Sequence, residues 1–437
     1  MRVSTTRNNS RTERVITLSK DNKLFVDHQD QVFSLGHLRY LIFEGSILQH
    51  AGHEEEYFKK LFESESADID TLLTAANGWD GAWVMVYVDP TGYRYAFTDP
   101  LGKKQLYYNT DNREISTSIS ELIYDSPIDL VYKSEIAKWG YNTDNRTPWE
   151  KVKRIMPNRL YSLSDKYSCV WCEDRDYMSL MPKRISEAKN PLWFFNLVAE
   201  SVKRQIDNIG KNEPIGILLS GGIDSSAISY FLLKARAQGT LDGHELKFYT
   251  INNAEDAPYV EIFRRKFGIE VTVLNYDMNE IDLIEAMKIN ETPVDLGSMV
   301  PNQFMFKHIP ERIIFTGDGP DEMFGGYRRI DEYDSQKSDM LEELSFYHLP
   351  RLERAAKYYG KDLRCPWIGY DIIRYALSLP YESRKHKQLM KDAFRGTLPD
   401  EILDRPKIPL KNDALRADPI KYRMKLIDMF YSACLTF

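Results

Sequence analysis

Four cysteines in 437 residues are too few to staple a chain of this size into a disulfide scaffold. No apolar run approaches the ~18 residues that a membrane-spanning helix needs, so no membrane partner is expected. Positive charge is not in excess. Lys and Arg number 58 against 65 Asp and Glu, a net charge of −7, which lacks the basic footprint of a nucleic-acid binder. The opening stretch MRVSTTRNNSRTERVITLSK carries Arg and Ser but no continuous apolar core of a secretory signal. Residues 1–30 are therefore expected as a solvated tail, on a protein of the reducing cytoplasm. There is no Gly-Lys-Ser or Gly-Lys-Thr, hence no G-x-x-x-x-G-K-[ST] phosphate loop. His-Glu-x-x-His, internal repeats and low-complexity segments are also missing.

What is present suffices for two or three domains with proper cores, at 43% apolar residues. From 31 to 182 the pattern is β-rich. GAWVMVYVDPTGYRYAF, from Gly81 to Phe97, is two apolar-aromatic runs joined by a turn, a hairpin signal. Short strands punctuated by turns predict a layered α+β domain. PKRISEAKNP reads as a linker. Beyond it, from 190 to 437, strands and helices alternate: Ile215–Ser220, Lys247–Asn252, Glu270–Asn275 and Arg312–Thr316 as strands, Ile223–Ala237 and Tyr259–Phe267 as helices. That rhythm predicts an α/β fold with a doubly wound parallel sheet that binds ligands at the carboxyl ends of its strands. From about 330 onward the pattern is mostly helical. The pair Cys169 and Cys172 in CVWC lacks further ligands and reads as structural, and Phe194–Ile206 as a core-facing helix.

The chemistry concentrates in ILLSGGIDSSAISYFL, Ile217 to Leu232. A strand that ends in Ser220-Gly221-Gly222 and a helix that opens with Asp224-Ser225-Ser226 make an anion site. The glycines admit close backbone approach, and the helix start offers unpaired N–H groups. Asp224 beside phosphate makes sense with Mg²⁺ between them. A second loop, FTGDGPDEMFGGYRR from Phe315 to Arg329, follows the fourth strand and sets Asp318, Asp321 and Glu322 among four glycines. It reads as a second metal and substrate wall.

With both motifs in view, LLSGGIDSS is similar to the pyrophosphate loop of the PP-loop ATP pyrophosphatases, and TGDGPDEMFGGYRR resembles the synthetase domain of the asparagine synthetase B family. NETPVDLGSMVPNQFMFK, RCPWIGYDIIRYALSLP and KQLMKDAFRGTLPDEILDRPKIP continue the resemblance in order, over roughly 190 to 412. The resemblance implies a ligase that uses ATP and Mg²⁺ to adenylate a small carboxylic acid, aspartate or an analogue, and passes it to ammonia or an amine. It implies that Leu219, Ser220, Gly221, Gly222, Asp224, Ser225, Ser226, Thr250, Thr316 and Gly317 hold the nucleotide, and that Asp224 and Asp321 hold the metal. Lys387 would stabilise charge during adenylation. Asp318, at a position often held by glutamate, would orient or deprotonate the nitrogen nucleophile. Family habit implies a homodimer.

The first half resembles the family's glutaminase domain, an Ntn-hydrolase fold, more faintly. In FTDPLGKKQLYY the residues Asp99, Gly102 and Leu106 keep its pattern, while Thr98 and Gln105 replace an arginine and a proline. In FEGSILQH, Glu44 and Ser46 stand in place of asparagine and glutamate. The family's glutaminase uses an N-terminal cysteine, whereas residue 2 here is Arg2 and the first cysteine is Cys169. The expectation is a degenerate glutaminase and nitrogen taken as free ammonia or an amine. The alternatives are an amide closed on a substrate or partner amine, as in lactam synthetases and lasso-peptide cyclases, a nucleoside-modifying PP-loop enzyme, and a non-catalytic scaffold. The β-lactam synthetases carry tyrosine where Asp318 stands.

Overall fold

A computed structural model describes residues 2–4, 13–19, 22–27, 31–164, 168–176, 190–207, 209–277, 282–293, 296–326, 342–406 and 418–434. The first half holds strands β1 (Arg2–Ser4), β2 (Glu13–Ser19), β3 (Asn22–Asp27), β4 (Gln31–Ser34), β5 (Tyr40–Ile47), β6 (Gly81–Val88), β7 (Arg94–Thr98), β8 (Tyr107–Asn109), β9 (Ile115–Ser116), β10 (Val152–Arg154), β11 (Arg159–Ser164) and β12 (Ser168–Asp176). They form two six-stranded sheets, ordered β10-β8-β9-β1-β3-β2 and β12-β11-β7-β6-β5-β4. Residues 1–30, expected as a tail, instead contribute three strands to the first sheet, with Val3 opposite both Val26 and Ile115. The Arg and Ser content of that stretch hid the β-branched run Val15-Ile16-Thr17, which pairs with β3 as a hairpin.

β6 shows why its apolar run is unbroken. Val84, Val86 and Val88 face one way, into the cluster they share with Leu106, Tyr108 and Ile115 near the other sheet. Trp83, Met85 and Tyr87 face the other way, onto Phe58, Leu72 and Leu73 of the helices Glu54–Leu61 and Ile69–Ala76 and onto Phe62, the C-cap of the first. A strand buried on both faces needs no polar alternation. Asp68 starts the second of these helices with a capping box to Thr71.

The second half is built on β13 (Ile215–Leu218), β14 (Leu246–Ile251), β15 (Val271–Leu274), β16 (Ile313–Phe315) and β17 (Asp362–Arg364). All pair in parallel, in the order β15-β14-β13-β16-β17. Four of these match the expected strands within a residue or two, and Ile223–Ala237 is helical as expected. β17 falls in the stretch expected to be helical. Its three residues are too few for a periodic signal, and it forms because β16 would otherwise present an open edge. Most of the linker PKRISEAKNP lies outside the described residues. Its last residue, Asn190, caps the helix Pro191–Ile206, accepting from the N–H of Leu192 at 3.0 Å and of Trp193 at 3.2 Å. CVWC lies within β12, and its side chains lie outside the described set.

The halves share cores. Leu101 belongs to the cluster around β13 and β16. Another cluster joins Tyr107, Tyr132 and Trp149 to Met299, Phe304, Ile427 and Phe430. The C-terminal helix Pro419–Cys434 runs back to the first half, where Tyr431 donates to the Pro148 carbonyl at 3.1 Å. Asp99 organises one junction loop. It accepts from the backbone N–H of Leu101 (3.1 Å), Lys103 (3.1 Å) and Lys104 (3.0 Å), and from the Tyr370 hydroxyl (3.2 Å) across the junction. Burial raises its pKa, and Lys103 and those N–H groups oppose the rise.

Candidate active site

In this sheet the chain moves outward from β13 through β14 to β15, then returns to the other side of β13 to lay down β16. The strand order reverses between β13 and β16, where a crevice opens at the carboxyl ends. Ile217 of β13 and Phe315 of β16 are registered neighbours, so the loops leaving the two strands emerge side by side. These are the serine-glycine loop and the acidic loop, one hundred residues apart in sequence and adjacent in the fold.

Two glycines make the junction physically feasible. At Gly221, φ is +70°, and a Cβ would lie 2.7 Å from both the Tyr259 Cβ and the Val260 nitrogen. A side chain there is excluded by conformation and by space. At Gly317, a Cβ would lie 2.6 Å from the Ser225 nitrogen and 2.8 Å from the Asp224 carbonyl carbon. The acidic loop therefore rests directly on the first turn of the helix Ile223–Ala237. That helix has Gly222 as its N-cap, without a side-chain cap bond. Its first N–H groups face the loop region as donors suited to a phosphate.

The serines divide. Ser225 Oγ accepts from the Ser220 N–H at 3.1 Å and lies 3.1 Å from Ser220 Oγ, closing the loop on itself. Ser226 is fully buried, and its hydroxyl has no hydrogen-bond partner among the described residues. The Leu219 N–H donates to the Tyr249 carbonyl at 2.9 Å, holding the loop's first residue to β14. Thr250, near the end of β14, is buried, with its hydroxyl 3.4 Å from the Ile251 carbonyl. Thr316 Oγ1 accepts from the Asp318 N–H at 3.3 Å and lies 3.4 Å from Cys365 Sγ.

Lys387 joins the motifs. Its Nζ is 2.6 Å from Asp224 Oδ2 and also pairs with Asp321 Oδ1. Burial disfavours its charge, but the two carboxylates outweigh burial and raise its pKa above the ordinary lysine value. Lys387 and His386 both adopt left-handed backbone, φ 57° and 55°, at a cost of about 1–2 kcal/mol each for non-glycine residues. Their N–H groups donate to the carbonyls of Phe324 at 2.8 Å and Gly325 at 3.0 Å, which fastens the lysine turn to the acidic loop. Gly326 fits beside them only without a side chain, since a Cβ would overlap Asp321 Oδ1 and crowd Lys387 Cε. Asp318 is half-buried on the same loop, and no hydrogen bond or ion pair joins it to Asp224, Asp321 or Lys387.

Two contributors escaped sequence reasoning. Trp367 Nε1 donates to the Asp224 carbonyl at 3.0 Å, bracing the helix start. Arg405 donates to the Ser220 carbonyl at 2.7 Å, pairs with Asp256, and lies 4.4 Å over the Tyr259 ring. It stands 185 residues from Ser220, and no local pattern marks it.

The donor set suits Mg²⁺. Asp224 and Asp321 converge on one cation, and paired carboxylates completed by substrate phosphates are how this ion is ordinarily held. Among the described residues no group of three or more His, Cys, Asp or Glu forms an all-protein cage. The Gly221 loop and the uncapped helix start suit a polyphosphate.

Residues 195–347 and 335–428 match the family described as Asparagine synthase. The chain is 29% identical over 217 residues to the glutamine-hydrolyzing asparagine synthetase of Cricetulus griseus, covering 44% of this chain and 38% of that protein. It is 28% identical over 236 residues to a probable glutamine-hydrolyzing asparagine synthetase of Acanthamoeba polyphaga mimivirus, covering 48% and 41% respectively. The matched segment thus spans well under half the length of these relatives. The solved structure of the U34-tRNA thiolase NcsA from Methanococcus maripaludis aligns at 12% identity over 56% of this chain and 81% of that one, with a TM-score of 0.27, too low to carry an argument.

Proposed function

The chain belongs to the asparagine synthase family, and from that premise we propose that it is an ATP-dependent carbon–nitrogen ligase acting on aspartate or a close analogue, with ammonia or an amine as the nitrogen source. The substrate carboxylate attacks the α-phosphorus of ATP. The bond to the β-phosphate oxygen breaks, and pyrophosphate leaves. The nitrogen nucleophile then attacks the acyl carbon of the adenylate, AMP leaves with the bonding electron pair, and the nitrogen sheds a proton.

The observation that carries this reading is Lys387 held between Asp224 and Asp321 at the mouth of the Gly221 loop. In the proposal, Ser220, Gly221, Gly222 and Ser225 bind the departing pyrophosphate through backbone N–H groups and hydroxyls. Asp224 and Asp321 hold Mg²⁺, which neutralises phosphate charge when bound. Lys387, kept protonated by its two partners, stabilises the charge that develops on the phosphates. Asp318, adjacent on the acidic loop, receives the proton from the incoming nitrogen. Leu219, Thr250, Thr316 and Gly317 shape the nucleotide wall.

The reading with free ammonia or an amine is supported by Cys365 and Cys434, the cysteines whose side chains are described, which offer glutamine no ready thiolate. Burial pushes the Cys365 thiol up to about 12, and burial also raises that of Cys434.

The test incubates the protein with ATP, Mg²⁺, aspartate and either ammonium or glutamine, and follows AMP, pyrophosphate and asparagine. Asparagine from ammonium and not from glutamine is the expected result. Turnover with glutamine would overturn the nitrogen assignment. Pyrophosphate release without aspartate dependence would replace the acid, and no turnover with any carboxylate would favour a scaffold.

A further inference from the structure

Away from the crevice, a cavity of about 30 Å³ opens where the two halves meet. It has room for roughly two water-sized groups, enough for the two oxygens of a carboxylate or for two oxygens of a phosphate group, and it is too small to enclose a nucleotide. Three arginines line it: Arg154 at the end of β10, and Arg351 and Arg354 on the helix Leu349–Tyr358 of the other half. No aspartate or glutamate is among its described lining residues. Tyr132, Asn142 and Thr292 add neutral polar groups.

The arginines differ in how they are satisfied. Arg354 pairs with Glu291 at 3.2 Å and donates to the Asn290 carbonyl and the Tyr107 hydroxyl. Arg351 donates to His348 Nδ1 at 2.6 Å and lies 4.4 Å over the Tyr347 ring. Arg154 sits 5.0 Å over the Phe346 ring, and its Nε and Nη1 are buried without a hydrogen-bond partner among the described residues. A guanidinium cannot shed its proton, so a charged donor pair left without an acceptor is strongly disfavoured in a native interior.

We propose that this cavity is an oxyanion site, taking a carboxylate or phosphate group no larger than inorganic phosphate on Arg154, with Arg351 lining the same cavity from the other half. A buried guanidinium donor in a cavity with no carboxylate among its described lining residues is what an oxyanion satisfies. A bound anion ties the two halves together. Its influence also reaches the proposed synthetase site, because Arg351 holds His348, and His348 Nε2 lies 3.1 Å from Glu322 Oε1, next to Asp321. The site stands independently of the ligase reading, since none of its lining residues belongs to the nucleotide crevice.

The experiment is calorimetric titration of the full chain with inorganic phosphate and, separately, with acetate, at constant chloride. Wild type, Arg154→Met and Gly221→Ala are compared, the last to remove binding at the glycine loop. Saturable binding of one anion by wild type and Gly221→Ala, weakened at least tenfold in Arg154→Met, is the expected result, and the anion that binds identifies the group. Failure of both anions to bind, equal binding by Arg154→Met, or loss only in Gly221→Ala overturns the proposal. If Arg154→Met does not fold, hydrogen exchange on wild type decides. Slower exchange at 152–154 and 349–358 with the anion supports the site, and unchanged exchange overturns it.

Discussion

At the scale of single residues, Lys387 carries the most consequence, because it is one buried cation between two carboxylates. Lys387→Ala leaves Asp224 and Asp321 facing one another. The fold should lose about 3 kcal/mol, as when one partner of a buried pair is removed, and turnover should fall by about 10²–10³. Added Mg²⁺ should raise the variant's melting temperature more than that of the wild type, since a divalent cation takes over the role of the ammonium. Equal Mg²⁺ responses would contradict the shared-cation geometry. Cys365 gives a pH test. Its folded pKa, up to about 12 from an ordinary 9, favours the protonated thiol in the native state. That contribution is complete below pH 9 and is lost as pH rises toward 12, at about 1.4 kcal/mol per unit. Urea midpoints at pH 8 and pH 10 should therefore converge for wild type and Cys365→Ala as pH rises, with wild type losing about 1 kcal/mol more.

At the scale of elements, the site is a junction of turns rather than of helices. The glycine loop, the acidic loop and the lysine turn meet because Gly221, Gly317 and Gly326 leave no side chain between them. Gly317→Ala should push the acidic loop off the helix start and abolish turnover with only a modest change in melting temperature. Full activity in that variant would show the contact to be dispensable. Arg405 serves the same junction from a distance by holding the Ser220 carbonyl. Arg405→Ala should raise the KM for ATP about tenfold with a smaller effect on kcat, since it removes a brace from the phosphate loop and no group that meets the acyl centre. An unchanged KM would place Arg405 outside the site.

At the scale of the whole molecule, the halves are not independent beads. The cluster joining Tyr107, Tyr132 and Trp149 to Phe304, Ile427 and Phe430, the Tyr370–Asp99 bond and the Lys104–Glu353 pair all cross the junction. Differential scanning calorimetry should show a single cooperative transition in place of two separate ones. Two resolved peaks would mean that the shared core contributes little. Tyr370→Phe, which leaves buried Asp99 short of one donor, should lower that transition by a few degrees.

The sequence alone determined the parallel α/β half and both loop motifs. Those depend on local signals: apolar strands that end in Ser-Gly-Gly or in an acidic Gly-rich turn, and a helix opened by Asp224 and two serines. The hairpin of β6 and β7 was equally legible, because two apolar-aromatic runs joined by a short turn have few other uses, while the burial of β6 on both faces came only from the packing. Tertiary structure decided what local signal cannot encode. The first residues became strands because β9 and β3 offered edges to pair with, not because their composition announced it. Lys387 reached Asp224 across 163 residues, and Arg405 reached Ser220 across 185. Arg154 and Arg351 line one cavity only because two halves with separate sheets share one buried boundary. Such pairings arise from chain crossings and buried contacts between distant segments, and their energy exists only once the sheets have formed and packed.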